Sequence, residues 1–205
     1  MISPKGDGGM KIHLYAIRLD RPLTEEEVQT LTRLMPPQRR ERLARLSREE
    51  LRYEPLCAYA ALYHGLRKLY GWKSLPRFRY AEYGKPEFDG YPEVQFNISH
   101  TRGAVLVGIH DKPIGVDIEC IRPMSERMMQ RIAGTSLPGE FFENWVRRES
   151  RGKWGGSGLA AMQPERSPAL AGERFCFVDT FPGYVACVCT HSQDECGPVE
   201  CFTLK

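Results

Sequence analysis

The sequence predicts an α+β fold in which one arrangement of strands and helices occurs twice. The order strand, helices, strands is found once before residue 112 and again after it. The chain has 205 residues, 27% charged and 41% hydrophobic, which is enough for one large domain or two small ones with a hydrophobic core. We therefore expect a flexible leader over 1–9, an N-terminal subdomain over 10–112 and a C-terminal subdomain over 113–205.

The first half begins with a strand and continues with helices. β-forming residues over 11–19 precede a turn and predict the strand. Thr24, followed by three glutamates, predicts a helix start, because its hydroxyl can cap the helix and the acids lie at its positive end. A helical pattern covers 38–70, and we expect Pro55 to divide it in two and Gly71 to end it.

The second part of the pattern is rich in strands. Several β-forming runs lie within 77–120, and a tight turn at 111–113 predicts a hairpin between the last two runs. The remaining predicted elements are helices over 124–134 and 138–151 and strands over 175–178 and 183–190.

Composition and charge exclude several classes of protein. The formal net charge of +3 is too small to indicate a nucleic-acid partner. No apolar stretch approaches the roughly 20 residues of a membrane-spanning helix, and the first nine residues lack the apolar core of a signal peptide. The expectation is a cytoplasmic protein with no membrane partner.

Seven cysteines are scattered along the chain without a paired C-x-x-C spacing. This pattern predicts reduced thiols rather than a disulfide framework. One cluster, formed by Cys187, Cys189 and His191 with Cys196 and Cys201 downstream, has side chains that suit zinc. Buried core thiols are the preferred interpretation, because C-x-C is not the usual spacing of zinc ligands.

Asp117 and Glu119 are two positions apart in a predicted strand. Side chains at such positions point the same way about 6.6 Å apart, so both carboxylates can bind one divalent cation. Their hard anionic oxygens suit Mg²⁺ or Mn²⁺. A solvated strand face is the alternative.

Two further polar groups accompany this pair. Ser99 and His100 end an otherwise apolar strand, where they can bind an anion or form a structural turn. Glu149 lies on the apolar face of a predicted helix, where a carboxylate is costly unless a metal or cation meets it. The alternative for Glu149 is a surface ion pair with Arg148 or Lys153.

Five motifs in this order resemble the 4′-phosphopantetheinyl transferases of the surfactin-synthetase-activating (Sfp) type. No single motif is specific, whereas their order along nearly the whole chain is. The motifs are Met10-Lys11-Ile12 with Asp20-Arg21-Pro22-Leu23, Tyr83-Gly84-Lys85-Pro86, Phe96 to His100, Lys112 to Glu119, and Trp145, Arg148, Glu149, Ser150 and Lys153.

The resemblance implies the 4′-phosphopantetheinyl transferase fold, two similar α/β subdomains related by pseudo-two-fold symmetry. It implies transfer of the 4′-phosphopantetheine arm of coenzyme A to a serine of an acyl or peptidyl carrier protein, with Mg²⁺ required and adenosine 3′,5′-bisphosphate released. We expect a monomer, since such a duplicated chain generally acts alone with its active site between the halves.

The resemblance also assigns roles to residues. The implied metal ligands, for Mg²⁺ or Mn²⁺, are Asp117, Glu119 and Glu149. The implied contacts to coenzyme A are Arg39, Arg42, Lys85, Ser99, His100 and Lys153. The implied catalytic residues are Glu149 as general base, with Lys153 and His100 offsetting charge.

The chain departs from the family pattern at four places. One is the stretch WGGSGL after Lys153, where the family usually has a charged residue before G-x-G-L. Arg148 replaces the lysine that precedes the signature glutamate. The segment between Glu119 and Glu149 is shorter than in the family, which leaves the choice of carrier protein open. A phosphate-binding arginine expected near residue 53 is absent or moved to Arg52.

Two other functions stay open at this point. A protein with this fold can bind coenzyme A or a carrier protein without catalysis. Alternatively, the arginine-rich stretch over 39–52 can form a stripe that follows a nucleic-acid backbone, although glutamates interrupt it.

Overall fold

A computed structural model describes residues 11–81, 84–156 and 172–204. The predicted leader over 1–9, the motif residues Met10 and Tyr83, and the stretch over 157–171 lie outside the described residues.

The described chain contains helices and strands in mixed order, which confirms the α+β class. The first half has the elements β1 (Ile12–Leu19), α1 (Glu25–Leu34), α2 (Pro37–Ala44), a 3₁₀ turn (Glu49–Arg52), α3 (Tyr53–Tyr70), β2 (Phe78–Tyr80), β3 (Pro86–Phe88), β4 (Gln95–Thr101) and β5 (Ala104–His110). The second half has β6 (Gly115–Cys120), α4 (Glu126–Ala133), α5 (Pro138–Trp154), β7 (Glu173–Phe177), β8 (Tyr184–His191) and β9 (Cys196–Leu204).

Two sheets form the centre of the fold, one in the order β4-β5-β1-β9 and one in the order β6-β8-β7. Alternate residues of β1 and β5 belong to two different cores. Tyr15 and Val107 pack in the core that includes α3, whereas Leu14 and Leu106 pack against Val116 and its neighbours in the second sheet. The central strand β5 is therefore buried on both faces, which explains its apolar sequence from Ala104 to Ile109.

Local signals for the helix ends are confirmed. Thr24 caps α1 through a reciprocal capping box with Glu27, and Gly71 ends α3 in the left-handed conformation, with a φ of 68°. The expectation that Pro55 divides the long helical pattern is wrong. The break lies over 45–48, and Pro55 is within the first turn of α3, where the amide hydrogen that proline lacks has no helical partner anyway.

The predicted hairpin at 111–113 is also wrong. β5 pairs with β4 on one edge and with β1 on the other, so it has no free edge for β6. β6 instead crosses to the second sheet and pairs with β8. The hairpin in this region joins β4 to β5 through Gly103, whose φ of 70° suits a tight turn.

The last strand, β9, was not predicted, and it pairs in parallel with β1 of the first sheet. Its sequence contains Gly197 and Pro198, which argue against a central strand but are tolerated here because β9 lies at the edge of its sheet. The subdomain boundary at 112/113 and the pseudo-two-fold relation between the halves stay predictions.

The cysteines agree in part with the preferred interpretation. All seven are free thiols, and Cys57, Cys187 and Cys189 are fully buried, whereas Cys196 is half-buried and Cys201 is exposed. No helix among the described residues is long and apolar enough to cross a membrane.

Candidate functional site

The open edges of the two sheets meet where β4 lies beside β6. Side chains from alternate residues of β4 bridge this β4–β6 seam, and each reaches a different residue of β6. The three bonds run from Ser99 Oγ to Asp117 Oδ1 (2.6 Å), from Thr101 Oγ1 to Glu119 Oε2 (2.9 Å) and from Val116 N to Asn97 Oδ1 (2.9 Å).

Asp117 is the buried centre of the seam, with only 4% of its surface exposed. Lys153 Nζ donates to Asp117 Oδ1 at 2.7 Å, to Ser99 Oγ at 2.9 Å and to Val116 O at 3.2 Å. Burial raises the pKa of Asp117 and outweighs the opposing effects of Lys153 and Ser99. Asp117 Oδ2 is buried and has no hydrogen-bond partner in the described part of the chain.

A glycine allows Lys153 to reach the seam from α5. A Cβ atom on Gly115 would lie 1.9 Å from Ser150 O and 2.5 Å from Trp154 N, so any side chain there would push α5 away from β6. The absence of a Cβ at this position thus lets the helix backbone pack directly on the strand that carries Asp117.

The other two predicted metal ligands belong to two elements that pack against each other: Glu119 is on β6, and Glu149 is on α5. Glu119 Oε2 accepts from Thr101 and, at 3.1 Å, from Arg122 Nη1. Glu149 is half-buried, and its pKa is raised by burial and by the negative charge of Asp117, with Lys153 acting in the opposite direction.

The described residues contain no ready-made set of three metal-binding side chains from His, Cys, Asp or Glu. The chemistry of the seam nevertheless suits a cation. One favourable feature is the buried carboxylate oxygen of Asp117 that has no partner, and another is the negative charge of Asp117 and Glu119, which helps raise the pKa of Glu149; a divalent ion stabilises both. The predicted triad Asp117, Glu119 and Glu149 stays a prediction.

A cavity of about 510 Å³ opens beside the seam, and three of the predicted coenzyme A contacts line it: Arg39, Arg42 and His100. Arg39 Nε is buried and has no hydrogen-bond partner in the described structure, and its guanidinium carbon lies 5.2 Å from the centre of the Tyr80 ring. Desolvation by the surrounding protein lowers the pKa of His100, and the positive charge of Lys153 lowers it further, although the residue also has exposed surface. The cavity thus combines apolar walls with cationic groups.

Lys85 lies apart from the cavity lining. Its ammonium donates to Ile114 O at 3.1 Å and to Lys153 O at 2.9 Å, and burial lowers its pKa. Lys85 therefore joins the start of β6 to the end of α5. Its predicted contact with a phosphate stays a prediction.

Two arginines that depart from the family pattern have structural partners. Arg148 Nη1 donates to Ile132 O near the end of α4 at 2.7 Å. Arg52 Nη2 donates to Leu46 O at 2.9 Å and closes the break between α2 and the 3₁₀ turn. Both guanidinium groups therefore bind main-chain carbonyls.

The arginine-rich stretch over 39–52 does not form one continuous helical stripe. It is interrupted after α2, Arg39 lines the cavity, and Arg40 bonds to the carbonyls of Arg33 and Met35. The arrangement that would follow a nucleic-acid backbone is therefore not present in these residues.

The sequence placed Asn97 among the polar residues that end a predicted strand but gave it no role in the site, and it did not single out Thr101. The available signal was their spacing, because positions 97, 99 and 101 alternate along β4 and are all polar. What they bond to could not be predicted, since β6 belongs to a different sheet.

Comparison with known proteins places the chain among one group of relatives, although no protein-family model matches it. It is 28% identical over 208 residues to the 4′-phosphopantetheinyl transferase Sfp of Bacillus subtilis strain 168, covering 88% of this chain and 93% of that protein. It is 26% identical over 219 residues to another 4′-phosphopantetheinyl transferase of Bacillus subtilis, covering 94% and 98%. Over 94 residues it is 35% identical to the 4′-phosphopantetheinyl transferase gsp of Aneurinibacillus migulanus, covering 40% and 39%.

Proposed function

Because the chain belongs to the Sfp-type 4′-phosphopantetheinyl transferases, a family of enzymes, we propose that it transfers 4′-phosphopantetheine from coenzyme A to a serine of an acyl or peptidyl carrier protein. The observation that carries the proposal is the position of the buried Asp117–Lys153 pair beside a cavity lined by Arg39, Arg42 and His100. We further propose that the fold is the two-subdomain fold of this family.

The cavity is the proposed site for coenzyme A. Its volume of about 510 Å³ falls in the range of small-molecule pockets. Apolar walls suit the adenine ring, and Arg39 and Arg42 offer forked donors to phosphate oxygens. The unpartnered Nε of Arg39 supports this role, because a buried donor without an acceptor gains most from a bound anion.

The seam is the proposed site for the metal. Asp117, through its unpartnered Oδ2, would hold Mg²⁺ or Mn²⁺ together with Glu119 and Glu149. When bound, such an ion offsets negative charge on the pyrophosphate of coenzyme A.

The remaining chemistry belongs to side chains around the seam. The serine oxygen forms a bond to the β-phosphorus of coenzyme A, the bond from that phosphorus to the bridging oxygen breaks, and adenosine 3′,5′-bisphosphate leaves. Glu149 accepts the serine proton, since its raised pKa suits a general base. Lys153 offsets charge on the phosphates, and His100, whose lowered pKa keeps it neutral, stabilises them from the cavity side by donating a hydrogen bond.

The test is transfer itself, measured by intact mass. The protein is incubated with coenzyme A, Mg²⁺ and a panel of apo carrier proteins, and the expected product is a carrier that gains one phosphopantetheine. Asp117→Asn and Glu149→Gln should lower the rate at least ~100-fold, since each removes a charge from the proposed centre. Glu143→Gln, on the exposed side of α5, is the matched control and should retain the rate.

Other results would contradict this assignment. Labelling at the control rate by folded Asp117→Asn or Glu149→Gln would remove the proposed role of that residue. Binding of coenzyme A without labelling of any carrier in the panel would instead favour a non-catalytic binder.

A further inference from the structure

Val116 precedes Asp117, and both of its main-chain polar groups are held by side chains rather than by another strand. Val116 N donates to Asn97 Oδ1 at 2.9 Å in a buried bond, and Val116 O accepts from Lys153 Nζ at 3.2 Å. An amide hydrogen points in one direction, so the Val116 N–H turned toward Asn97 is not available to β8 on the other edge of β6.

The two strands of the seam belong to different sheets, so no ladder of main-chain bonds joins them directly. Register within a sheet is set by its ladder of main-chain bonds, but register across this seam depends on side chains. A shift of β6 by one residue would turn Asp117 away from Ser99 and toward the opposite face. Asn97 is suited to prevent this shift, because it is only 7% exposed and bonds a main-chain atom, whose position cannot change independently of the strand.

We propose that Asn97 is a positioning residue that holds β6 in register with β4, so that Asp117 stays opposite Ser99 and Lys153. Thr101 does not share this task, because it bonds the Glu119 side chain and not the main chain. The link from this geometry to metal binding and transfer rests on the proposed function, whereas the geometry itself does not.

The direct readout is amide hydrogen exchange at Val116 in the full chain without metal, measured by NMR. Asn97→Ala should speed exchange of the Val116 amide at least ~10-fold, because the hydrogen loses its acceptor. Gln95→Ala is the matched control, since Gln95 lies two residues away on the same strand and its side chain, within the described structure, bonds only the carbonyl of Pro92. Thr101→Val should also leave Val116 exchange unchanged.

The second readout is the dissociation constant for Mn²⁺, followed by electron paramagnetic resonance. Asn97→Ala should weaken binding ~10-fold or more, which is the usual effect of removing a residue that orients a metal ligand. In the transfer assay the same variant should lower kcat while the KM for coenzyme A changes little. Gln95→Ala should match the wild type in both measurements.

Asn97→Asp keeps an acceptor oxygen and should therefore keep most of the protection of the Val116 amide. If Asn97→Ala does not fold, exchange at Val116 in Asn97→Asp is the test of the proposal. The proposal is overturned if Val116 exchange in folded Asn97→Ala stays within ~2-fold of the Gln95→Ala value, or if folded Asn97→Asp leaves Val116 unprotected. If the wild type binds no Mn²⁺ or labels no carrier, the proposed function fails, and the exchange data still decide whether Asn97 positions β6.

Discussion

Replacing Lys153 by methionine isolates the electrostatic role of this lysine at Asp117. Methionine keeps much of the aliphatic stem but removes the ammonium that lies 2.7 Å from Asp117 Oδ1. Among the described residues, the carboxylate would then keep only the bond from Ser99, although just 5% of its side chain is exposed. Removing one partner of a fully buried ion pair lowers the free energy of unfolding by about 3–5 kcal/mol. The Lys153 side chain is 26% exposed, and solvent weakens the pair, so we expect a smaller loss of about 2–3 kcal/mol.

The loss should depend on pH with a definite sign. The pKa of folded Asp117 is already raised by burial, so its ionisation opposes folding, and removing Lys153 raises that pKa further. The resulting penalty is present at neutral pH and fades as the pH falls toward the ordinary pKa of aspartate, where the buried carboxyl is protonated. The stability difference from the wild type should therefore shrink between pH 7.5 and pH 4.5.

Urea unfolding in the presence of a chelator measures this difference, with circular dichroism as the signal. Lys68→Met is the control, because Lys68 is 57% exposed beside Glu200 and its removal should cost less than about 1 kcal/mol. Adding Asp117→Asn to Lys153→Met should recover most of the loss. An equal loss at both pH values, or a loss at pH 7.5 no greater than that of the control, would refute the electrostatic reasoning.

Two further predictions concern the packing of α5 and the coenzyme A cavity. Gly115→Ala should lower the free energy of unfolding by about 3 kcal/mol or more, or yield insoluble protein, because the new Cβ would meet main-chain atoms of α5. Gly139→Ala is the control and should not destabilise, since nothing lies within 4 Å of the added Cβ. Thermal unfolding compares the two variants, and similar melting temperatures would contradict the prediction. Arg39→Ala should raise the KM for coenzyme A about 10-fold or more with little change in kcat, because Arg39 lines the cavity. Arg45 is exposed and outside the cavity lining, so Arg45→Ala should change neither constant. An unchanged KM for Arg39→Ala in the transfer assay would place the cavity outside the binding site.

Several features of this fold could be predicted because they depend on neighbouring residues. Thr24 and Gly71 mark helix ends through contacts made within one turn, and the run of β-forming residues in β5 indicates a strand. Pro55 was misinterpreted because its effect depends on where the helix begins, which was not known beforehand.

Some features of the candidate site could likewise be predicted from the sequence, and others could not. The sequence alone determined the residue types of the site and the order of its motifs, from Ser99 and His100 through Asp117 and Glu119 to Glu149 and Lys153. It could not determine their partners, because those bonds join residues far apart in the chain and depend on which strand edges are free.

Only the tertiary structure decided those partners. β6 cannot pair with β5, because β5 already has neighbours on both edges. It joins the second sheet as an edge strand, and its open edge lies beside β4. Gly115 then lets α5 approach closely enough for Lys153 to reach Asp117. Local sequence therefore determined which groups are available, whereas the packing of two open sheet edges and one helix determined that Asp117 is buried, paired with Lys153 and held opposite Ser99.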